Sequence, residues 1–280
     1  MVRGAAMLVV TLPKPGCPMP DSPAAPRPPV RLERAGAIGR IVIDRPPVNA
    51  MSLAMIRALV AALRDAAADP TLRAVVLTSA VADRFCAGLD LDVILGKSGE
   101  EVREFLQALY TDLYDAQYDL GKPSIAAVGG AARGGGVTMA ISCDVLVASE
   151  NATFGYPEVD VGVIPAIHFA HLPRIIGRHR AFELLFTGRS FPAREAADLG
   201  LVSRLVPAGE ADTAAMALAE TFAAKSETVM RLGRAAFMRQ NDLDYRRSIA
   251  NAVEDFCNVA TTPAAQEGLA AFVEKRKPRW

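Results

Sequence analysis

The stretch from Lys122 to Pro165 constrains this chain more than any other. Ile125–Val128 is a short apolar run that ends in Gly129 and Gly130, and Gly134, Gly135 and Gly136 then lead into an apolar segment of good helix formers. A strand, a glycine turn and a helix start are expected in that order. Three consecutive glycines permit positive φ and let backbone N–H groups approach a ligand with no Cβ in the way. The helix start adds unpaired donors and the positive end of a dipole. Such a turn suits an anion, although tight packing explains a bare glycine triplet equally well. A second turn upstream, Arg84–Asp90, follows the strand-like Ala74–Ser79 and offers another amide at Ala87. Two donors from separate loops are what a developing oxyanion needs. A lone carboxylate, Glu158, falls on a turn after a strand, where an acid or base could serve them.

The 280 residues, 51% of them hydrophobic, can bury one sizeable core with an appendage. Thirty-one basic residues balance 31 acidic ones, so there is no basic excess of the kind that phosphate neutralisation requires, and nucleic acid is disfavoured as a partner. Cys17, Cys86, Cys143 and Cys257 lack metal-ligand spacing and fit a reducing cytoplasm better than a disulfide framework. No apolar run reaches the roughly 18 residues of a membrane span. The short apolar start around Met7–Val10 is broken at once by prolines and reads as no export signal.

Along the chain, residues 1–29 are rich in proline and without period, an expected extended or disordered tail. Residues 30–207 form the expected core. Two alternating strands from Val30 to Ile43 precede an amphipathic helix, Leu53–Ala68, capped by Asn49 or Ser52 and stopped at Asp69 and Pro70. Strands at Ala74–Thr78, Ser124–Val128 and Val145–Ala148 follow, with a helical region up to Leu120 and an extended segment Phe154–Glu158. Units too small to bury their own apolar faces must stack, which gives an α/β class. Residues 208–280 read as helix alone, at Ala211–Lys225, Glu227–Gln240, Ser248–Ala260 and Pro263–Lys275.

The segments FCAGLDL, AARGGG, CDVLVAS, ATFGYPE, GVIP, the TGR to AREAADLGLVSRLV run and the terminal FVEKRKP resemble, in order and spacing, the crotonase superfamily of enoyl-CoA hydratases and isomerases. The resemblance spans residues 31–280. It implies a spiral core of ββα units and a C-terminal helical region that assembles trimers or hexamers. It also implies an acyl-CoA thioester substrate and no metal or other cofactor beyond the CoA of the substrate. By the same resemblance the amides of Ala87 and Gly135 hold the thioester carbonyl, Glu158 is the catalytic glutamate, and Ala50, Ala87, Gly88, Leu89, Asp90 and Lys275 surround CoA. One departure matters. Hydratases of the superfamily resemble one another in a second glutamate two residues after the glycine triplet, and this chain has Thr138 there. Threonine can orient a water but cannot act as a carboxylate base near neutral pH. A single carboxylate favours double-bond isomerisation. Hydration, hydration coupled to carbon–carbon cleavage, and a non-catalytic acyl-CoA binding module are the alternatives.

Other residues carry blander readings. Cys86, beside the proposed oxyanion turn, reads as a small buried side chain with no histidine near it in sequence. Tyr110, Tyr114 and Tyr118 recur at helical spacing, a stripe more often core than pocket, although the resemblance places this region at the acyl wall. His168 and His171 lack the companions of a metal site, and His168 could face the acyl group. Asp160 reads as a solvated acid.

Overall fold

The computed structural model describes residues 28–241, 263, 264, 267, 271 and 274–279. The expected tail, apart from its last two residues, and the expected helix at 248–260 lie outside the described residues. Chain order begins with an antiparallel pair, β1 (Val30–Ala35) and β2 (Ile38–Ile43), then α1 (Leu53–Ala68) and β3 (Ala74–Ser79). Helix α1 has the bounds its periodicity predicts. Ser52 caps it by accepting the Met55 N–H. The Lys122 ammonium closes its other end on the carbonyls of Ala66, Ala67 and Asp69, where a cation also suits the helix dipole. Asn49, the other candidate cap, is instead buried at φ +54°. Its amide binds Ser79 Oγ and the Phe85 carbonyl at 2.8 and 2.9 Å.

Three successive coils of chain each supply two strands. These are β3 with β4 (Arg84–Cys86), β5 (Ser124–Val128) with β6 (Ala131–Arg133), and β7 (Val145–Ser149) with β8 (Thr153–Gly155). The first strand of each coil joins one sheet, ordered β1-β2-β3-β5-β7-β10, with β10 at Arg204–Val206. The second joins a smaller sheet, β4-β6-β8-β9, with β9 at Ser190–Pro192. Within both sheets the coils add parallel. This is the stacked spiral that the resemblance implies. Strands β3 and β5 are buried on both faces, as parallel strands covered on each side must be. One face holds the main core with α1. The other is covered by α8 (Ala211–Ala223), whose Ala211, Ala215 and Ala219 recur every four residues and bring the helix close to Val76, Ala127 and Val147.

Between β4 and β5 the expected helical region divides into a 3₁₀ turn at Leu91–Val93, α2 (Gly99–Leu106), a π-helical segment Gln107–Asp112 and α3 (Leu113–Tyr118). The wider π turn breaks the tyrosine stripe. Tyr110 and Tyr114 are half-buried while Tyr118 turns outward. Helix α4 (Gly135–Ile141) follows the glycine turn; α5 (Ala166–Ile176), α6 (Arg178–Thr187) and α7 (Ala193–Asp198) lead to β10, and α9 (Glu227–Asn241) closes the described helical region. No helix among the described residues is long and apolar enough to cross a membrane.

Helix α9 is latched to the core by Arg234. Its guanidinium meets Asp144 Oδ2 at 2.8 Å and donates to the carbonyls of Tyr118 and Gln117 at 3.0 and 2.6 Å, with its side chain only 6% exposed. The same Asp144 accepts the Ser124 N–H. Truncation would leave a largely buried carboxylate and two carbonyls without their donor. Arg234→Ala should lower the free energy of unfolding by about 3 kcal/mol, the scale for breaking a buried ion pair from one side. Arg234→Lys, a single point charge, should recover less than half of it. Urea midpoints shifted by no more than a surface substitution would show that the latch does not hold α9.

Candidate active site

The small sheet assembles the site. Strands β4, β6 and β8 lie side by side and parallel, and each ends in a turn that reaches one pocket. Ala87–Asp90 follows β4, Gly134–Gly136 follows β6, and Tyr156–Glu158 follows β8. The glycine turn is packed tightly against the residues around it. A Cβ on Gly136 would lie 2.4 Å from the Cys86 carbonyl oxygen, one on Gly135 2.2 Å from Met51 Cε, and one on Gly134 2.5 Å from Glu158 Oε1. Gly134 also has φ +46° and ψ −117°, open to glycine alone. The triplet therefore serves close approach on three sides.

The expectation that Ala87 supplies a free amide is corrected by the geometry. Its N–H donates to the Val48 carbonyl at 3.0 Å. Two residues on, Leu89 pairs with Met51 in a parallel bridge made by Met51 N–H to the Gly88 carbonyl and Asp90 N–H to the Met51 carbonyl. In that pattern Leu89's own N–H points away from Met51, and it meets no acceptor among the described residues. Gly88, at φ +93°, makes the bend and packs against Arg133 and Gly135. Gly135 is the first residue of α4, so its N–H has no helical partner. The amides of Leu89 and Gly135, not those of Ala87 and Gly135, are the unengaged pair.

Glu158 sits on a turn after a strand, as expected, here the 3₁₀ turn Pro157–Val161 that follows β8. Burial raises its pKa, and its buried Oε2 has no hydrogen-bond partner. The cavity before it, about 240 Å³, is walled by Leu89, Leu91, Ile94, Val161 and Val163, and among the described residues Glu158 is the one ionisable side chain on its wall. A carboxylate held in apolar surroundings is poised to take up or release a proton nearer neutrality than an exposed one. Asp160 is exposed.

Thr138 lies away from solvent. It is fully buried, and its Oγ1 lies 3.2 Å from His168 Nε2. His168, 1% exposed, packs edge-on to Tyr156 and to His171, with ring centroids at 4.4 and 4.9 Å. The sequence pattern gave no signal for this pairing between residues thirty apart. Cys86 is a core thiol, pushed up to about 12 by burial and donating to the Asn49 carbonyl. No metal-binding cluster occurs among the described residues. Of the expected CoA neighbours, Ala87, Gly88 and Leu89 line the cavity. The Ala50 carbonyl and the Asp90 carboxylate both receive hydrogen bonds from Arg45, at 2.5 and 2.8 Å, and brace the Leu89 turn from behind. Lys275 is exposed.

The buried acid and the buried histidines pull stability in opposite directions with pH. Glu158 has its folded pKa raised, so its contribution is complete below the ordinary value of 4.5 and is lost as pH rises through the folded value. Burial lowers His168 to about 3 and His171 to about 4, from 6.5. Their contribution is complete above 6.5 and is lost as pH falls toward those values. Glu158→Gln, neutral at every pH, should melt higher than the wild type at pH 8, with the difference shrinking as pH falls through the raised folded value and gone below 4.5. Both proteins should lose stability below pH 6.5. Equal melting temperatures at pH 8 would mean that the carboxylate is not under the strain its burial implies.

With the geometry in view, the comparisons with known proteins agree. The sequence profile of the enoyl-CoA hydratase/isomerase family matches residues 33–280. The short-chain-enoyl-CoA hydratase of Clostridium acetobutylicum is 32% identical over 250 residues, covering 89% of this chain and 95% of that protein. The crystal structure of an enoyl-CoA hydratase from Mycobacterium smegmatis superposes with a TM-score of 0.85 at 34% identity, covering 90% of this chain and 99% of that one. The enzyme of the same name from Bacillus anthracis gives 0.84 at 32%, covering 90% and 98%. A parallel spiral, a glycine-built turn beside a buried glutamate, and matches over nearly the whole described core place the chain in one family: it belongs to the enoyl-CoA hydratases and isomerases of the crotonase superfamily.

Proposed function

We propose that the protein binds an acyl-CoA thioester with its carbonyl oxygen between the amides of Leu89 and Gly135, and that Glu158 moves the proton of the reaction. The observation that supports this is the cavity wall: Leu89 and Gly135, whose amides meet no acceptor among the described residues, line it together with Glu158, its one ionisable side chain among those residues. One carboxylate suffices to isomerise a double bond. Glu158 removes a C2 proton from a 3-enoyl-CoA, and the electron pair moves into the thioester, whose oxygen carries the charge against the two amides. The same proton then returns at C4 as the double bond settles between C2 and C3. Charge and atoms balance, and no water enters. Thr138, dry and held by His168, is in keeping with a site that does not need to position one.

Hydration is the second reading, supported by the names of the relatives. There water would add across a 2-enoyl-CoA, its hydroxyl to C3 and a proton to C2. The proposal includes CoA as part of the substrate and no further cofactor. It also includes a cytoplasmic site of action and assembly into trimers or hexamers, for which the stacked and exposed Phe169, Phe186 and Phe182 offer apolar surface. Lys275 remains the proposed contact for CoA phosphates.

Product analysis with matched 2-enoyl- and 3-enoyl-CoA esters separates the readings. Isomerisation converts the 3-enoyl ester to the 2-enoyl ester with no 3-hydroxyacyl product, and a 3-hydroxyacyl product as the main outcome would replace it with hydration. Under either reading, Glu158→Gln should retain CoA-ester binding and lose roughly 10²–10⁴-fold in turnover, the scale for a general acid or base. Unchanged turnover in that variant would remove Glu158 from the mechanism.

A further inference from the structure

The Gly134–Gly135 peptide group carries two features at once. Its N–H, on Gly135, is one of the two unengaged donors; its C=O, on Gly134, accepts from within the protein. Because a peptide unit is planar and trans, fixing the carbonyl fixes the direction of the N–H on its far side. A glycine–glycine peptide most needs such fixing, since neither residue has a side chain to restrict its rotation. Three donors converge on the Gly134 oxygen: the Val137 N–H at 2.8 Å, the Thr138 N–H at 3.1 Å, and His168 Nε2 at 3.3 Å. The first two belong to α4 itself. The third arrives from α5, the helix that follows the Glu158 turn.

The ring is held for this contact. His168 is 1% exposed, and its face and edge are packed by Tyr156 and His171. Its Nδ1 has no partner, whereas two acceptors, the Gly134 carbonyl and Thr138 Oγ1, lie within 3.3 Å of Nε2. A buried N–H without an acceptor is rarer and costlier than a lone pair without a donor, so the ring proton belongs on Nε2. Among the described residues the ring meets Thr138, Tyr156, His171 and the Gly134 carbonyl.

We infer that His168 is a positioning residue for the anion-stabilising turn: its Nε2–H, donated to the Gly134 carbonyl, aims the Gly135 N–H into the pocket and strengthens it as a donor. A hydrogen bond accepted at a carbonyl polarises the whole peptide unit, so the N–H beyond it becomes more acidic. His168 touches no reacting atom and acts through one peptide group. The inference rests on the thioester reading above, because only a developing oxyanion makes that N–H matter.

The probe is butyryl-CoA bound to the full-length protein, with the thioester carbonyl stretch read by difference infrared spectroscopy. Binding should move the band to lower frequency in the wild type. His168→Leu, of similar size and without a donor, should show a clearly smaller shift. His168→Gln, whose amide nitrogen reaches the same place as Nε2, should restore it. Complete removal of an oxyanion donor costs about 10²–10³-fold in kcat. Misaiming and weakening one should therefore cost His168→Leu roughly tenfold, with KM within about twofold, and His168→Gln should return to within about twofold of wild type. A wild-type spectrum with no shift overturns the thioester reading and this inference with it. A full shift and full kcat in folded His168→Leu overturns the inference alone. Should that variant fail to fold, ¹⁵N spectra of the wild-type histidines decide: a proton on Nε2 of His168 upholds the assignment, and a proton on Nδ1 overturns it.

Discussion

Three glycines in a row can approach other groups more closely than any other sequence allows, and the site depends on that contact. Gly136 lies against the Cys86 carbonyl, Gly135 against Met51 and Leu89, and Gly134 against the carboxylate of Glu158. These contacts tie the turn to the coil before it, through Cys86 and Leu89, and to the coil after it, through Glu158. A β-carbon on Gly136 would meet the Cys86 backbone, one on Gly134 the Glu158 carboxylate, and one on Gly135 the side chains of Met51, Leu89 and Leu109. The turn is thus the point through which the positions of the other two loops are referred to each other. The Gly134 N–H to Gly155 carbonyl bond, 2.9 Å, ties it to the strand that leads to Glu158.

Much of this was legible in the residues and some was not, for reasons that can be stated. Helix α1 and strands β3, β5 and β7 are long or apolar enough for periodicity to mark them, and each lies where its pattern puts it. The glycine turn and Glu158 were legible because their chemistry is local. Strands β4, β6, β8, β9 and β10 are three residues long, too short to show any period, and they exist because neighbouring coils supply their hydrogen bonds. The same non-local pairing explains the error at Ala87. Which amide of FCAGLDL is free depends on the register of Leu89 with Met51, and register is a property of the packed pair, not of either segment. The tyrosine stripe failed through a single wide π turn, which shifts the helical phase without changing composition.

Around Glu158 the protein keeps an unusual amount of buried polar chemistry uncompensated. Glu158 Oε2, Tyr156 Oη, His168 Nδ1 and both ring nitrogens of His171 are buried with no partner. Such groups reduce stability wherever they occur. Their concentration behind one pocket marks the place where the sequence departs from what folding alone would select, which is the usual signature of a working site.

The three short strands that end at the pocket have a consequence for how the family can vary. Adjacent parallel strands stand about 4.8 Å apart because the backbone ladder sets that spacing. The Leu89 loop, the glycine turn and the Glu158 turn therefore stand on successive rungs whose separation owes nothing to the side chains between them. Leu91, Ile94, Val161 and Val163, which wall the cavity, hang from the loops and not from the rungs. Substitution among them can reshape the chamber while Leu89, Gly135 and Glu158 stay in register, so that under the proposed thioester reading acyl preference and chemistry are inherited on separate parts of one chain.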